Sequence, residues 1–95
     1  MMLTVTKSAL EQLSHRLARR PGTEGLALRF VRREGGWRLR LDRESPGDAA
    51  FTHGDRKVLL LDAAVAEALA DMTLDVKPTG TRSRLDLRRN GRRGD

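Results

Sequence analysis

This 95-residue chain contains no cysteine and no tyrosine, and its aromatic residues are limited to one tryptophan and two phenylalanines. Without cysteine the chain has no disulfide, no thiolate metal site and no cysteine nucleophile. The three aromatic side chains, Trp37, Phe30 and Phe51, provide no visible platform for stacking nucleobases. We therefore expect a small aliphatic core and no cysteine-based chemistry.

Long apolar runs are also missing from the sequence. No stretch approaches the roughly 20 apolar residues of a membrane span, and the N-terminus leads straight into polar residues rather than into a signal peptide. The length is that of one domain. We expect a cytoplasmic protein with no membrane partner, built as a single domain over residues 1–89. The basic segment 90–95 is predicted to be a disordered tail.

Basic residues are abundant, with a net charge of +6 and a pI of about 11.2. Such a balance raises the hypothesis of nucleic-acid binding. However, half of the excess positive charge lies in residues 88–95. Only three of the 19 basic residues are lysine, and GC-rich genomes produce such a preference for arginine. A small basic protein with weak, non-specific nucleic-acid binding is therefore the alternative hypothesis, beside an acidic protein partner. The sequence leaves a homodimer open.

The most informative stretch is residues 25–42, GLALRFVRREGGWRLRLD. Apolar and polar residues alternate on both sides of Gly35 and Gly36, and successive strand side chains point to opposite faces. The glycine pair supplies the positive φ angles of a tight turn. We predict an antiparallel hairpin with one buried face. The inward row is Leu26, Leu28, Phe30, Trp37, Leu39 and Leu41, and the outward row is Arg29, Arg38 and Arg40.

Two helices and further short strands are predicted around this hairpin. Thr6 is a suitable N-cap for a first helix, and Asp62 for a second helix over residues 63–71. The aliphatic run 58–61 is predicted to be the most buried strand. A strand over residues 74–77 is expected to stop at Pro78, and residues 83–88 alternate with Arg84 and Arg88 outward. The predicted order is β-α-β-β-β-β-α-β-β, a mainly β member of the α+β class.

No pattern points to catalysis, a metal or a cofactor. His53 lies in a turn sequence with no carboxylate at ligand spacing, and His15 falls on the polar side of the first helix. The serines lack a nucleophile elbow, and Gly35 and Gly36 are too few for a phosphate loop. We therefore predict that the chain is not an enzyme and has no catalytic, metal or cofactor-binding residues.

Several short strings, in order, resemble the HesB-like, or A-type (IscA-like) iron–sulfur carrier, family. The opening LTVTKSA at 3–9 resembles the family's LTLTDAA, and GLALR at 25–29 with the following glycine pair resembles its GLRV…GG. VLLLD at 58–62, followed by Leu69 and LDV at 74–76, resembles VVVD…L.G..IDYV, and GTRSRL at 80–85 resembles GSGF.I.NP. The resemblance implies a small sandwich of mostly antiparallel strands with two short helices.

The resemblance fails at the residues that carry the family's chemistry. In the family a cysteine follows the two glycines, and a Cys-Gly-Cys pair lies near the C-terminus; here Trp37 and the sequence NGRRG at 90–94 stand there. Iron–sulfur clusters are held mainly by thiolates, so no functional residue is carried over. The resemblance therefore implies a non-catalytic binding or accessory module related to iron–sulfur cluster assembly proteins.

Any functional surface is expected to lie on the outward face of the hairpin. Clustered like charges in a sheet are unfavourable, so they require acidic neighbours, solvation or an anionic partner. Asp42, Asp86 and Glu44 are the neighbours that would neutralise them. The predicted partner-binding residues are Arg29, Arg38, Arg40, Arg84 and Arg88.

Overall fold

Seven strands and two helices make up the computed structural model, which describes residues 2–80 and 82–90. The elements are β1 (Thr4–Val5), α1 (Lys7–Ala18), β2 (Ala27–Arg33), β3 (Gly36–Asp42), β4 (Ala49–His53), β5 (Arg56–Leu61), α2 (Ala63–Ala68), β6 (Met72–Thr79) and β7 (Arg82–Arg89). This is the order predicted from the sequence, and the mainly β, α+β class is confirmed.

The strands form two sheets. One has four strands in the order β3-β2-β5-β4, and the other has three in the order β1-β6-β7. Sequential neighbours β2/β3, β4/β5 and β6/β7 pair antiparallel, whereas β1/β6 and β2/β5 pair parallel. Helix α1 packs against both sheets, because it contacts β2, β4 and β5 of the first and β6 of the second. Strands β3 and β7 each lie at the edge of their sheet.

The hairpin has the predicted turn and the predicted faces. Leu28 lies opposite Leu41 and Phe30 opposite Leu39, so the apolar rows share a face, while Arg29 lies opposite Arg40. Gly35 and Gly36 have φ angles of 89° and 131°, which L-residues with a side chain rarely adopt. Leu26, predicted to belong to the inward row, precedes β2 and is half-buried.

The hydrophobic core lies where α1 meets both sheets. All four side chains of the run 58–61 are completely buried, which confirms this segment as the most buried strand. Leu28, Leu59 and Leu69 are buried in this core, whereas Leu39, Val65 and Leu85 are only partly covered. The partly covered residues on β3 and β7 leave apolar surface at the two sheet edges.

Both predicted N-caps are present. Thr6 Oγ1 accepts the Ala9 N–H at 3.1 Å, and Asp62 Oδ1 accepts the Val65 N–H at 2.8 Å. Helix α2 ends at Ala68, three residues before the predicted end at residue 71, because β6 already begins at Met72 to pair with Arg89.

Strand β6 does not stop at Pro78, as predicted, but runs through it to Thr79. Strand β1 pairs only with Thr73 and Leu74. At Pro78 the strand therefore has a neighbour on the β7 side alone, and proline is tolerated at such edge positions.

The predicted tail begins at Asn90, whose backbone N–H donates to the carbonyl of Asp71 at 2.8 Å and whose side chain contacts Thr73. The rest of that segment, 91–95, lies outside the described residues, so the domain boundary stays a prediction. No helix among the described residues is long and apolar enough to cross a membrane.

Candidate binding surface

Arg29 shares the outward face of the hairpin but is not exposed. Its side chain is 10% exposed and donates four hydrogen bonds. Nε bonds to Asp42 Oδ2 at 2.8 Å, the two terminal nitrogens bond to the Asp48 carboxylate at 3.0 and 2.6 Å, and one of them also bonds to the carbonyl of Arg43 at 3.1 Å. Arg29 thus fastens the β3–β4 connection over the sheet, and its guanidinium is occupied within the fold.

The electrostatics of this network favour the charged forms. The hydrogen bonds that Arg29 donates to Asp48, and then to Asp42, raise the pKa of Arg29 above its usual value. The Arg29 guanidinium in turn lowers the pKa of Asp48, whose side chain is only 3% exposed. The Arg43 backbone N–H, and then Arg29, lower the pKa of Asp42. A bidentate guanidinium–carboxylate pair of this kind stabilises the fold only while both partners remain charged.

Two of the expected acidic neighbours do not reach the hairpin arginines. Glu44 pairs instead with Lys57, and Asp86 lies opposite Asp75 without an ion pair to any residue in 2–80 or 82–90. Asp42 does bind Arg29, together with Asp48, which the sequence analysis did not single out. The neutralising carboxylates therefore serve Arg29 and leave the other outward arginines of the hairpin unpaired.

Arg88 lies on β7, in the three-stranded sheet, and contacts Asp75 at 3.2 Å while staying 55% exposed. Asp75 also accepts the Thr6 hydroxyl at 2.8 Å. Its pKa is lowered first by the backbone N–H of Val76, then by Thr6 and Arg88. Arg88 is therefore partly occupied by a contact that ties β6 and β7 to the start of α1.

Arg38, Arg40 and Arg84 remain exposed. Although β3 and β7 belong to different sheets, residues of both strands line one groove of about 390 Å³. Arg38 and Arg84 lie along it, and so does Arg16 of α1. Its apolar lining consists of Phe30, Trp37, Leu39, Leu74, Leu85 and Leu87. The rings of Trp37 and Phe30 make an edge contact with centroids 5.9 Å apart, and the Arg32 guanidinium lies 5.2 Å from the Trp37 ring.

Sequence reasoning missed the contribution of α1. Arg16, Arg19 and Arg20 line a second depression of about 440 Å³ together with Arg40 of β3, and Arg16 and Arg19 line a third of about 660 Å³. Arg16 therefore lies along all three cavities. Arg16 lies in the last turn of α1, Arg19 is its C-cap and Arg20 follows it. The signal in the sequence was this cluster of arginines at the end of the helix, but only the tertiary structure places the cluster beside β3 and β7.

We define the arginine surface as the exposed residues Arg16, Arg19, Arg20, Arg38, Arg40 and Arg84. In the described part of the chain, ion pairs involve other cations, namely Arg29, Lys57 and Arg88. None of the six has a carboxylate partner there within 4.0 Å. The arginine surface is thus a cationic rim around a partly apolar groove.

Comparison with known proteins identifies the fold. No protein-family model and no curated protein sequence matches the chain. The crystal structure of Escherichia coli SufA, involved in biosynthesis of iron–sulfur clusters, superimposes with a TM-score of 0.68 at 21% identity, covering 94% of this chain and 86% of SufA. IscA with the [2Fe–2S] cluster matches with a TM-score of 0.60 at 20% identity, covering 93% and 85%. The chain has the HesB/IscA-like fold.

The residues present do not fit an iron–sulfur cluster. The sequence supplies no thiolate, and only two histidines. Among the described residues no three side chains of histidine, aspartate or glutamate are grouped so as to hold a metal ion. After the glycine pair stands Trp37, whose ring packs on Phe30 and beneath Arg32. An iron–sulfur cluster needs thiolate ligands, which this chain lacks. The fold is therefore present without the side chains that would hold such a cluster.

Proposed function

We propose that this chain is a non-catalytic binding module, an accessory protein related to iron–sulfur cluster assembly proteins, whose arginine surface binds an acidic protein partner. The fold it shares with SufA and IscA supports the relation. The absence of thiolates supports a role other than holding a cluster. The observation that carries the proposal is the arginine surface itself.

Three elements contribute to that surface: the end of α1, strand β3 and strand β7. Within the described residues its guanidinium groups have no carboxylate to relieve their mutual repulsion. An acidic partner would supply that relief, and planar guanidinium groups recognise carboxylates through paired hydrogen bonds. Complementary charge would also steer the encounter between the two proteins.

Nucleic acid is the alternative anionic partner, because the same guanidinium groups attract phosphate. Single-stranded nucleic acid is normally held by bases stacked on exposed aromatic rings. Trp37 and Phe30 contact each other at the groove floor, and Phe51 is half-buried against the core. Of the three aromatic rings, Trp37 is thus the one that is accessible along the groove. A single ring provides no series of stacking platforms, which favours an acidic protein over nucleic acid.

The test compares two triple variants with the same net charge. Arg38→Gln, Arg40→Gln and Arg84→Gln remove half of the arginine surface, whereas Lys7→Gln, Arg43→Gln and Arg89→Gln remove three exposed cations outside it. Poly-L-glutamate is the probe, and the emission of Trp37, the sole tryptophan, follows binding. We expect the surface variant to bind roughly tenfold more weakly, since each exposed pair contributes about 0.2–1 kcal/mol. The control variant should stay close to the parent.

The free surface variant should also be slightly more stable than the parent, because repulsion among its arginines is relieved. Thermal unfolding of both variants measures this. Equal loss of affinity in the two variants would mean that binding follows net charge alone, and the proposal would fail. Duplex DNA that binds more tightly than poly-L-glutamate at physiological salt, with the same dependence on the surface, would favour the nucleic-acid alternative.

A further inference from the structure

Strand β3 is an unpaired sheet edge inside the arginine surface. It has seven residues, Gly36–Asp42, and among the described strands its only neighbour is β2. An edge strand presents a row of backbone N–H and C=O groups that can pair with another extended chain. Proteins often bind peptides by adding a strand to such an edge.

The side chains of β3 alternate in a way that specifies what would pair with it. Trp37, Leu39 and Leu41 point to the inward face but remain only half-buried, and they lie along the groove or the neighbouring depression. Arg38 and Arg40 point to the opposite face and are exposed. A strand laid beside β3 would therefore meet apolar side chains on one face and arginines on the other.

The charge of β3 distinguishes between the segments that could pair with this edge. A second copy of the chain pairing through β3 would bring further arginines against Arg38 and Arg40, and like charges across a strand pair are destabilising. Cations on an edge strand are a known protection against self-pairing. A segment with carboxylates at the same positions would instead form favourable cross-strand pairs.

We propose that the acidic partner binds as an extended segment of alternating acidic and apolar residues that adds a strand to β3 along the groove. This rests on the proposed function and specifies the form in which the partner is recognised. The apolar side chains of the segment cover Trp37 and Leu39, which extends the core toward Leu85 of β7. Its carboxylates face Arg38 and Arg40, and Arg16 and Arg84 lie along the groove beside it.

Two peptides of identical composition test the proposal. The first, Ac-ELEVELE-NH2, alternates and matches the seven residues of β3; the second, Ac-EEEELVL-NH2, carries the same side chains in blocks. We expect the alternating peptide to bind about tenfold more tightly or better, since only it satisfies both faces and the backbone together. It should also shift Trp37 emission to shorter wavelength and slow amide hydrogen exchange in β3 but not in β7.

N-methylation of alternate residues isolates the backbone contribution. One peptide is methylated at the residues whose N–H groups would face β3. The other is methylated at the intervening residues, whose N–H groups would face away from β3. We expect one methylated peptide to lose binding and the other to retain it. Equal loss or equal retention of binding by the two methylated peptides would overturn strand addition. Slower amide hydrogen exchange in β7 on peptide binding would overturn it as well.

The outcomes separate this proposal from the proposed function. If the alternating and block peptides bind equally well, and both bind more weakly to the arginine-surface variant, the proposal of an acidic partner stands. Binding as an added strand is then overturned. Failure of both peptides and of poly-L-glutamate to bind would overturn both proposals.

Discussion

Replacing Arg29 with methionine should lower the free energy of unfolding by about 3–5 kcal/mol, the cost of leaving a buried charge without its partner. The Asp48 carboxylate is 3% exposed and receives two hydrogen bonds from Arg29, so the substitution leaves it buried with one partner, the backbone N–H of Ser45. Asp42 is 38% exposed and can be solvated, so most of the cost comes from Asp48. Urea unfolding at neutral pH measures the effect.

A second variant identifies the cause. Replacing Asp48 with leucine as well removes the unpaired charge, and buried ion pairs replaced on both sides by apolar residues often cost little. We therefore expect the double variant to regain most of the stability that Arg29→Met loses. If the single variant loses less than about 1 kcal/mol, or the double variant is the less stable of the two, the network does not hold the β3–β4 connection.

The same network sets an acid limit on stability. Folding lowers the pKa values of Asp48 and Asp42 below those of the unfolded chain, so their stabilisation is fully present above an unfolded pKa of about 3.9. It is lost as pH falls through the lower folded values. The parent should therefore lose stability below about pH 4 more steeply than the double variant, which lacks Asp48 and Arg29. Parallel curves would contradict this assignment.

Truncating Leu59 to alanine should cost about 2–5 kcal/mol, because the removed methyl groups leave a cavity in a closely packed core. Leu59 is 0% exposed and lies on β5, between β2 and β4, beside Leu28 and opposite Phe51. The effect should lower the melting temperature by about 8 °C or more.

Leu39→Ala is the matched control for this core position. Leu39 loses the same atoms but lies half-buried on the edge strand β3, so its truncation should cost clearly less. Two results would show that β5 is not the centre of the core. One is a Leu59→Ala protein that melts within about two degrees of the parent. The other is a Leu39→Ala protein that melts at a lower temperature than Leu59→Ala.

Local patterns were sufficient to predict the elements of the fold. The alternation on both sides of Gly35 and Gly36 specified the hairpin and its faces, because strand side chains alternate whatever surrounds them. Thr6 and Asp62 specified two helix starts, since a cap is made by residues adjacent in sequence. The early end of α2 was not predictable in the same way, because the pairing of Met72 with Arg89 decides it.

Long-range contacts explain why the site was only partly predicted. Alternation assigned Arg29 to the outward face but could not show that Asp48 and the carbonyl of Arg43 cover that part of the sheet. Arg38 and Arg84 belong to strands of different sheets, and only the packing of α1 against both sheets brings Arg16 to the same groove. Such groupings depend on tertiary structure, which residue spacing within one element does not encode.

We propose that this chain uses a HesB/IscA-like fold for binding and not for holding an iron–sulfur cluster. The most direct measurement is anaerobic reconstitution of the purified protein with ferrous iron and sulfide, followed by desalting, absorption spectroscopy and iron analysis. IscA, known in complex with a [2Fe–2S] cluster, is the positive control. We expect this protein to stay colourless and to retain no stoichiometric iron, because it has no thiolates. Visible charge-transfer absorption that survives desalting would contradict the claim.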